Sequence, residues 1–264
     1  INTRVKSRGR GGFREKLGYP MGSFGQVFDT LAEQVRQRGG EVHVSASVEG
    51  IDVRDGRAHG LRVKLAGADV EYEKFDAVIA TVPSHVFSRL VPTLPEEYLA
   101  RLGAAQYMSA VLIVLVLDRP LSHVYWLNVA DRSIPFVGVI EHTNLISPDH
   151  YGGKHVVYLA NYLTTDSPLY KMGHEELLQH YLPHLRKVNQ DFDVSWIETS
   201  YHHRVDGAQP VIGTNYSRQI PGHRTPIQGV YLANTTQIYP EDRGTNFSVR
   251  MGRIVARMLM EDMS

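Results

Sequence analysis

The chain of 264 residues contains no cysteine. That absence excludes a disulfide framework, thiolate zinc sites, iron–sulfur ligation and a cysteine nucleophile, and it suits a reducing cytoplasm. Net charge is missing too. With 28 Lys and Arg against 28 Asp and Glu, the chain has no character of a nucleic-acid binder or of a protein held on anionic membranes. The longest purely apolar run, Ala110 to Leu117, is eight residues and too short to span a bilayer, so no transmembrane segment is expected. The stretch from Ile1 to Arg14 is polar and rich in Arg and Gly, without the apolar region of a signal peptide. The chain starts at Ile1 rather than Met and reads as a cut through a longer protein or a processed chain.

Chemical motifs are also scarce. A glycine loop that cradles pyrophosphate needs residues without a Cβ, followed by a helix. Gly9, Gly11 and Gly12 come nearest to G-x-G-x-x-G, but Arg14 occupies the third glycine position and no strand precedes them. GxxxxGK[ST] and GxSxG do not occur. A self-contained Rossmann or P-loop site is thereby excluded, although half of one is not. Thirteen histidines raise the question of a metal. His180 and His184 are four apart on an expected helix, yet no third ligand is indicated and Pro183 intervenes, so no metal is expected. His202 and His203 are adjacent on an expected strand and point to opposite faces.

What is present is an ordinary globular pattern, 42% apolar, sufficient for a sizeable core. Beyond a basic arm from Arg4 to Lys16, the apolar positions Phe24, Val27, Phe28, Leu31 and Val35 predict a helix from Ser23 to Arg38, with Ser23 as N-cap and Gly39-Gly40 as its stop. A strand, EVHVS, should follow. From Val48 to Thr81 a meander is expected, punctuated at Asp55-Gly56, Gly60 and Gly67 and ending in the strand AVIATV closed by Pro83. Ser84 to Arg101 reads as two short helices interrupted by Pro92 and Pro95. YMSAVLIVLVLD reads as a central strand. Further strands are expected at Val124–Val129, Pro135–His142 and His155–Leu163, then a helix at His174–Asn189 and a strand at Val194–Tyr201. The strand VYLA, the loop NTTQIYPEDRGTN and a helix from Asn246, capped by Thr245 or Asn246, close the chain. Strands with a few inserted helices predict an α+β or mixed-sheet architecture.

Four segments together resemble the flavin-containing amine oxidase superfamily, which includes protoporphyrinogen oxidases and phytoene desaturases. They are LGYPMGSFGQVFDTLAEQVRQRGGEVHVSASVEGI, FDAVIATVPSHVFSRLVP, DGAQPVIGTNYSRQI and GVYLANTTQIYPEDRGTNFSVRMGRIVARML. Their order and spacing span nearly the whole chain. The family's amino-terminal G-x-G-x-x-G segment is missing, in keeping with the back part of a longer flavoprotein. The resemblance implies a mixed β-sheet substrate domain with helices over 1–47 and 84–205. Residues 48–83 and 206–264 would form the remainder of an FAD/NAD(P)-binding Rossmann-like domain.

Carried over by position, Val48 would lie beside the adenine of FAD, and Thr81, Val82 and Pro83 would border the adenosine and pyrophosphate. Ala233, Asn234, Arg243, Gly244, Thr245, Asn246 and Phe247 would surround the flavin and pyrophosphate end. The family usually has Gly-Asp after the last strand, where this chain has Asn234 and Thr235; either an amide and a hydroxyl do that work or Asp242 does. The resemblance implies an FAD-dependent oxidoreductase taking a hydride from a C–N or C–C bond of a small organic substrate, with FAD weakly held by this chain alone. No catalytic residue is assigned. Tyr19, Tyr107, Asn161 and His203 are the candidates for pocket lining. Two alternatives stay open: a sugar-nucleotide mutase-like flavoenzyme, for which Arg204, Arg218 and Arg224 would be diphosphate ligands, and a binding module that lost the cofactor.

Overall fold

The structure is a computed structural model and describes residues 18–241 and 243–264. The basic arm from Arg4 to Lys16 and the candidate carboxylate Asp242 lie outside the described residues. The described residues divide into two compact units, 18–47 with 63–70, and 48–62 with 71–264.

In the first unit the expected helix is α1 (Gly25–Gln37). Ser23 sits one residue outside the N-cap and its hydroxyl accepts from Gly25 N at 3.2 Å. The stop is as expected: Gly39 turns left-handed at φ +84°, and Gly40 N donates to Val35 O at 3.0 Å. The strand expected at EVHVS does not form. Residues 41–45 have no ladder partner among the described residues, and a run with suitable alternation but no neighbour has nothing to extend along.

The meander is a three-stranded sheet, β1 (Ala46–Arg54), β2 (Arg57–Leu65) and β3 (Val70–Lys74), in that spatial order. Asp55 and Gly56, both at positive φ, make its first turn. Gly60 is not a turn. It lies within β2, where an added Cβ would fall 2.1 Å from Glu73 O, so its lack of a side chain permits close approach rather than reversal. The following strand, β4 (Val78–Ala80), is shorter than AVIATV and pairs in parallel with β10 (Val230–Leu232). Between them come α2 (Ser84–Leu90) and α3 (Glu96–Gly103), whose Phe87 and Leu102, together with Val91 just after α2, pack with Ala80, Val230 and Leu232 into one core.

The largest sheet has five strands. β6 (Trp126–Asn128), β7 (Gly138–Glu141), β8 (His155–Leu163), β5 (Tyr107–Leu117) and β9 (Ile197–Pro210) lie side by side in that order, all antiparallel. The strand expected to end at Tyr201 instead begins after a 3₁₀ turn at Val194–Trp196 and runs to Pro210, because β5 offers it a partner as far as Tyr107. One face is covered by α5 (His174–Leu185), preceded by the short α4 (Pro168–Lys171). Leu177, Tyr181 and Leu185 of α5 are completely buried against Val111, Ile113, Leu115, Val157 and Leu159, alternate residues of β5 and β8. α5 stops at Leu185, short of Asn189, in the turn that follows Pro183.

The last helix, α6 (Thr245–Met263), packs Val255 with Met251 and Met258 against Tyr231 of β10. Its outer end is held by Asp262, which accepts from Tyr231 Oη at 2.7 Å and from Arg224 Nε at 2.8 Å. Among the described residues no helix is long and apolar enough to cross a membrane. The mixed α+β arrangement expected from the sequence is the one the chain adopts.

Candidate functional site

Parallel strands bind ligands beyond their carboxyl ends, and β4 and β10 end together: Leu232 faces Ala80, and Ala233 N donates to Ala80 O at 2.9 Å. Here Thr81 is exposed and Val82 and Pro83 are half-buried, while Ala233 and Asn234 are buried. Asn234 does not reach outward. Its Oδ1 accepts from Thr236 N (3.1 Å) and Thr236 Oγ1 (2.6 Å), and its Nδ2 donates to Val82 O (3.0 Å) and Ser84 Oγ (3.3 Å). Gln237 completes a capping box by accepting from Asn234 N at 2.9 Å. The amide therefore ties the ends of both strands to each other and fixes the start of the loop.

Tyr107 joins the same cluster. Its hydroxyl accepts from Ser84 N at 3.0 Å and donates to Ser84 Oγ at 3.2 Å, and its ring meets His85 edge-on. Gly207 lies opposite, at φ +62°, with its would-be Cβ 3.1 Å from His85 Cε1. Nearby, burial pushes the Tyr216 phenol up, and that hydroxyl donates to Thr236 O at 2.8 Å.

The loop leads to the N-terminus of α6, where Gly244 is the N-cap and no side chain caps the helix among the described residues. Neither Thr245 nor Asn246 serves as the expected cap, because the non-helical residue is one or two positions earlier. Phe247 N and Ser248 N both bond Gly244 O, leaving the amides of Thr245 and Asn246 without a side-chain acceptor among the described residues. An added Cβ at Gly244 would come within 2.7 Å of Asn246 Oδ1, so the Asn246 side chain packs over the N-cap where only a glycine leaves it room. Such a positive, uncapped helix end fits the phosphate or carbonyl oxygens of FAD, the cofactor that the resemblance implies. Phe247 helps to line a surface cavity of about 380 Å³ with His223, Tyr239 and Arg250. Val48, on β1, is partly exposed.

Asn161 and Tyr162 are neighbours on β8 and face opposite ways. Asn161 is buried toward α5: its Nδ2 donates to Pro135 O at 2.5 Å and to Tyr181 Oη at 3.4 Å, and its Oδ1 accepts from Tyr162 N. Tyr162 belongs to the other face of the sheet, 41% exposed. The ladders place Tyr158, Leu112, Val114, Tyr201 and His203 on that face with it. Of the two adjacent histidines, His203 thus points to the open side, whereas His202 lies on the covered side, its ring 6.0 Å from His174, and burial lowers its pKa. Tyr19 is in the first unit, its ring edge-on to Phe24.

The contact that sequence reasoning missed joins the loop to this face. Arg243 Nη2 donates to Tyr162 Oη at 2.9 Å, with the guanidinium 5.5 Å from the ring centroid. Its Nη1 is buried and has no partner among the described residues. Alternation along β8 separates Asn161 from Tyr162 in sequence, but nothing in sequence says which side a helix covers. Among the described residues no group of three or more His, Asp or Glu could hold a metal.

Residues 5–257 match the profile of the flavin containing amine oxidoreductase family. No curated protein matches the chain significantly in sequence. Among solved structures, a provisionally assigned protoporphyrinogen oxidase from Exiguobacterium sp. 255-15 is similar, with TM-score 0.67 and 18% identity over 90% of this chain and 51% of its own. A putrescine oxidase bound to putrescine gives TM-score 0.65 and 17% identity over 90% of this chain and 53% of its own. A reduced UDP-galactopyranose mutase gives 0.60 and 16%, over 83% and 48%. At these identities the likeness is one of fold, and the chain spans about half the length of these structures. The profile match, extending over almost the whole sequence, goes further than the fold: the chain belongs to the flavin containing amine oxidoreductase family.

Proposed function

We propose that this chain forms the substrate-facing sheet and part of the cofactor layer of an FAD-dependent oxidoreductase, which takes a hydride from a C–N or C–C bond of a small organic molecule. One observation carries the reading: a helix N-terminus with no side-chain cap among the described residues stands beyond the paired ends of two parallel strands, and the loop leading to it reaches the open sheet face through Arg243. In this reading residues 84–205 supply the substrate sheet, with 1–47, and residues 48–83 and 206–264 supply the cofactor layer. Thr81, Val82, Pro83, Ala233 and the first turn of α6 from Gly244 to Phe247 would hold FAD, with Val48 toward its adenine. When bound, FAD supplies the hydride acceptor. The protein's own residues orient the substrate and exclude water, which is where positioning contributes most. Tyr162 and His203 face the reacting side, while Tyr107 and Asn234 keep the strand ends in register.

A mutase would need arginines for a diphosphate. Arg224 is paired through two nitrogens with Asp262, and Arg204 Nη1 donates to Tyr170 O, so two of the three candidates are engaged elsewhere. The test is a visible spectrum of the whole protein, followed by a substrate screen for consumption of an electron acceptor. Bound flavin and acceptor consumption are expected; flavin without net consumption would favour the mutase, and no flavin at all would leave a binding module. The chain alone is expected to bind FAD weakly, because it holds no G-x-G-x-x-G loop. Tight stoichiometric binding by the chain would contradict that.

A further inference from the structure

The open face of the five-stranded sheet has a relief that narrows what can lie on it. Asn128, Gly138, Ala160, Leu112 and His203 form one row across β6, β7, β8, β5 and β9, with Gly138, Ala160 and Leu112 as its apolar centre and no carboxylate at either end. On one side of it runs the row of Trp126, Ile140, Tyr158, Val114 and Tyr201, and on the other that of Tyr162, Ala110 and Val205. The middle row is low because two of its members have little or no side chain, and aromatic rings stand on both sides. This is an apolar trough.

Its electrostatics are one-sided. None of the residues that the ladders put in these rows is Asp or Glu. Among the described residues the nearby carboxylates are engaged elsewhere: Glu141 accepts from Leu121 N and Ser122 N inside the protein, Asp206 from Ser109 Oγ, and Glu198 pairs with Lys154. Glu241, which shares a small cavity with Arg243, lies 3.8 Å from Arg250 Nη1. A protonated amine would therefore lose its hydration on this face without gaining a carboxylate. The reverse holds for an anion. Arg243 is held at the Tyr162 end of the trough by one nitrogen, and its buried Nη1 has no acceptor among the described residues. A buried cationic donor left unmatched is costly, and an oxyanion is the partner whose geometry suits a guanidinium.

We propose that the open face binds an apolar molecule with a single oxyanionic end, a carboxylate or its equivalent, its body along the Gly138–Ala160–Leu112 row and its charge on Arg243. This names a substrate class for the flavoenzyme proposed above and rests on that reading. Arg243 is then a specificity residue turned to the substrate, not one of the flavin's neighbours.

The test uses the chain itself and three probes that differ only at one end: a naphthyl alkanoate, its methyl ester, and the naphthyl alkylamine of equal length, each titrated by calorimetry. The alkanoate is expected to bind about tenfold or more tighter than either of the others. Arg243→Gln should bring the alkanoate down to the level of the ester and leave the ester unchanged. Ala160→Phe, which fills the trough, should weaken all three. Circular dichroism melts of both variants check that they fold. Equal binding of the three probes, tighter binding of the amine, a preference surviving Arg243→Gln, or no binding of any probe would overturn the proposal. Because no flavin enters the measurement, such a failure leaves the oxidoreductase reading standing, and a flavin-free whole protein would sink that reading without touching this result.

Discussion

Asn234 shows how one side chain can decide the geometry of a site without touching its ligand. Both ends of its amide are occupied by the termini of β4 and of the β10–α6 loop. Asn234→Ala leaves the Val82 carbonyl and the Thr236 amide without their side-chain partners in a buried setting, and should cost about 2–3 kcal/mol. Urea unfolding measures it, and a loss well under 1 kcal/mol would mean the loop finds substitutes. The position was legible in the sequence, since a polar residue directly after VYLA marks the strand's end. Its orientation was not. Whether an amide points outward or into the protein depends on Val82 and Ser84, about 150 residues away in sequence. Tyr107 was legible in the same partial way: an aromatic residue at a strand end, whose hydroxyl is claimed by Ser84.

At the scale of the element, strands with their own strong alternation were readable and those created by a partner were not. β5 and β8 have apolar, β-branched sequences that demand a sheet interior. β9 is mostly polar, and its extension to Pro210 exists because β5 is there to bond it. The extension passes a bulge opposite Met108 and Ala110, and Gly207 absorbs it at φ +62° with His85 close by. Gly207→Ala asks an L-residue to take the left-handed conformation and brings a methyl to 3.1 Å from His85 Cε1. It should destabilise by about 1–2 kcal/mol, and Gly207→Val by more. Denaturation midpoints test the order; an alanine variant as stable as the parent would show that the bulge can reshape. EVHVS is the converse case, a sequence with the right alternation and no neighbour.

For the whole molecule, ionisation sets the window of stability. Burial lowers the pKa of His142, His184 and His202, so the folded state holds them neutral where the unfolded chain takes up protons. Stability from these groups is present above about pH 6.5 and declines as pH falls below it. The Asp131 carboxyl, held down to about 2 by Ser133 and Lys187, adds a further loss as pH drops from about 4. At the other end, burial pushes the Tyr98 phenol up to about 12, so stability falls again above about pH 10. Urea midpoints should therefore be highest between about pH 7 and 9 and should fall by pH 5.5; a midpoint flat or rising over that acid range would contradict it. His142→Gln should flatten the acid limb. Insertions and deletions along the gene are filtered by the same β8 that carries Asn161 and Tyr162. Losing one codon within that strand would exchange the two, sending an amide to the open face and a phenol under α5, whereas losing two would restore the facing. Length changes should thus accumulate before the strand, at Gly152-Gly153, where both residues already sit at positive φ in a turn, and remain rare, or paired, between His155 and Leu163.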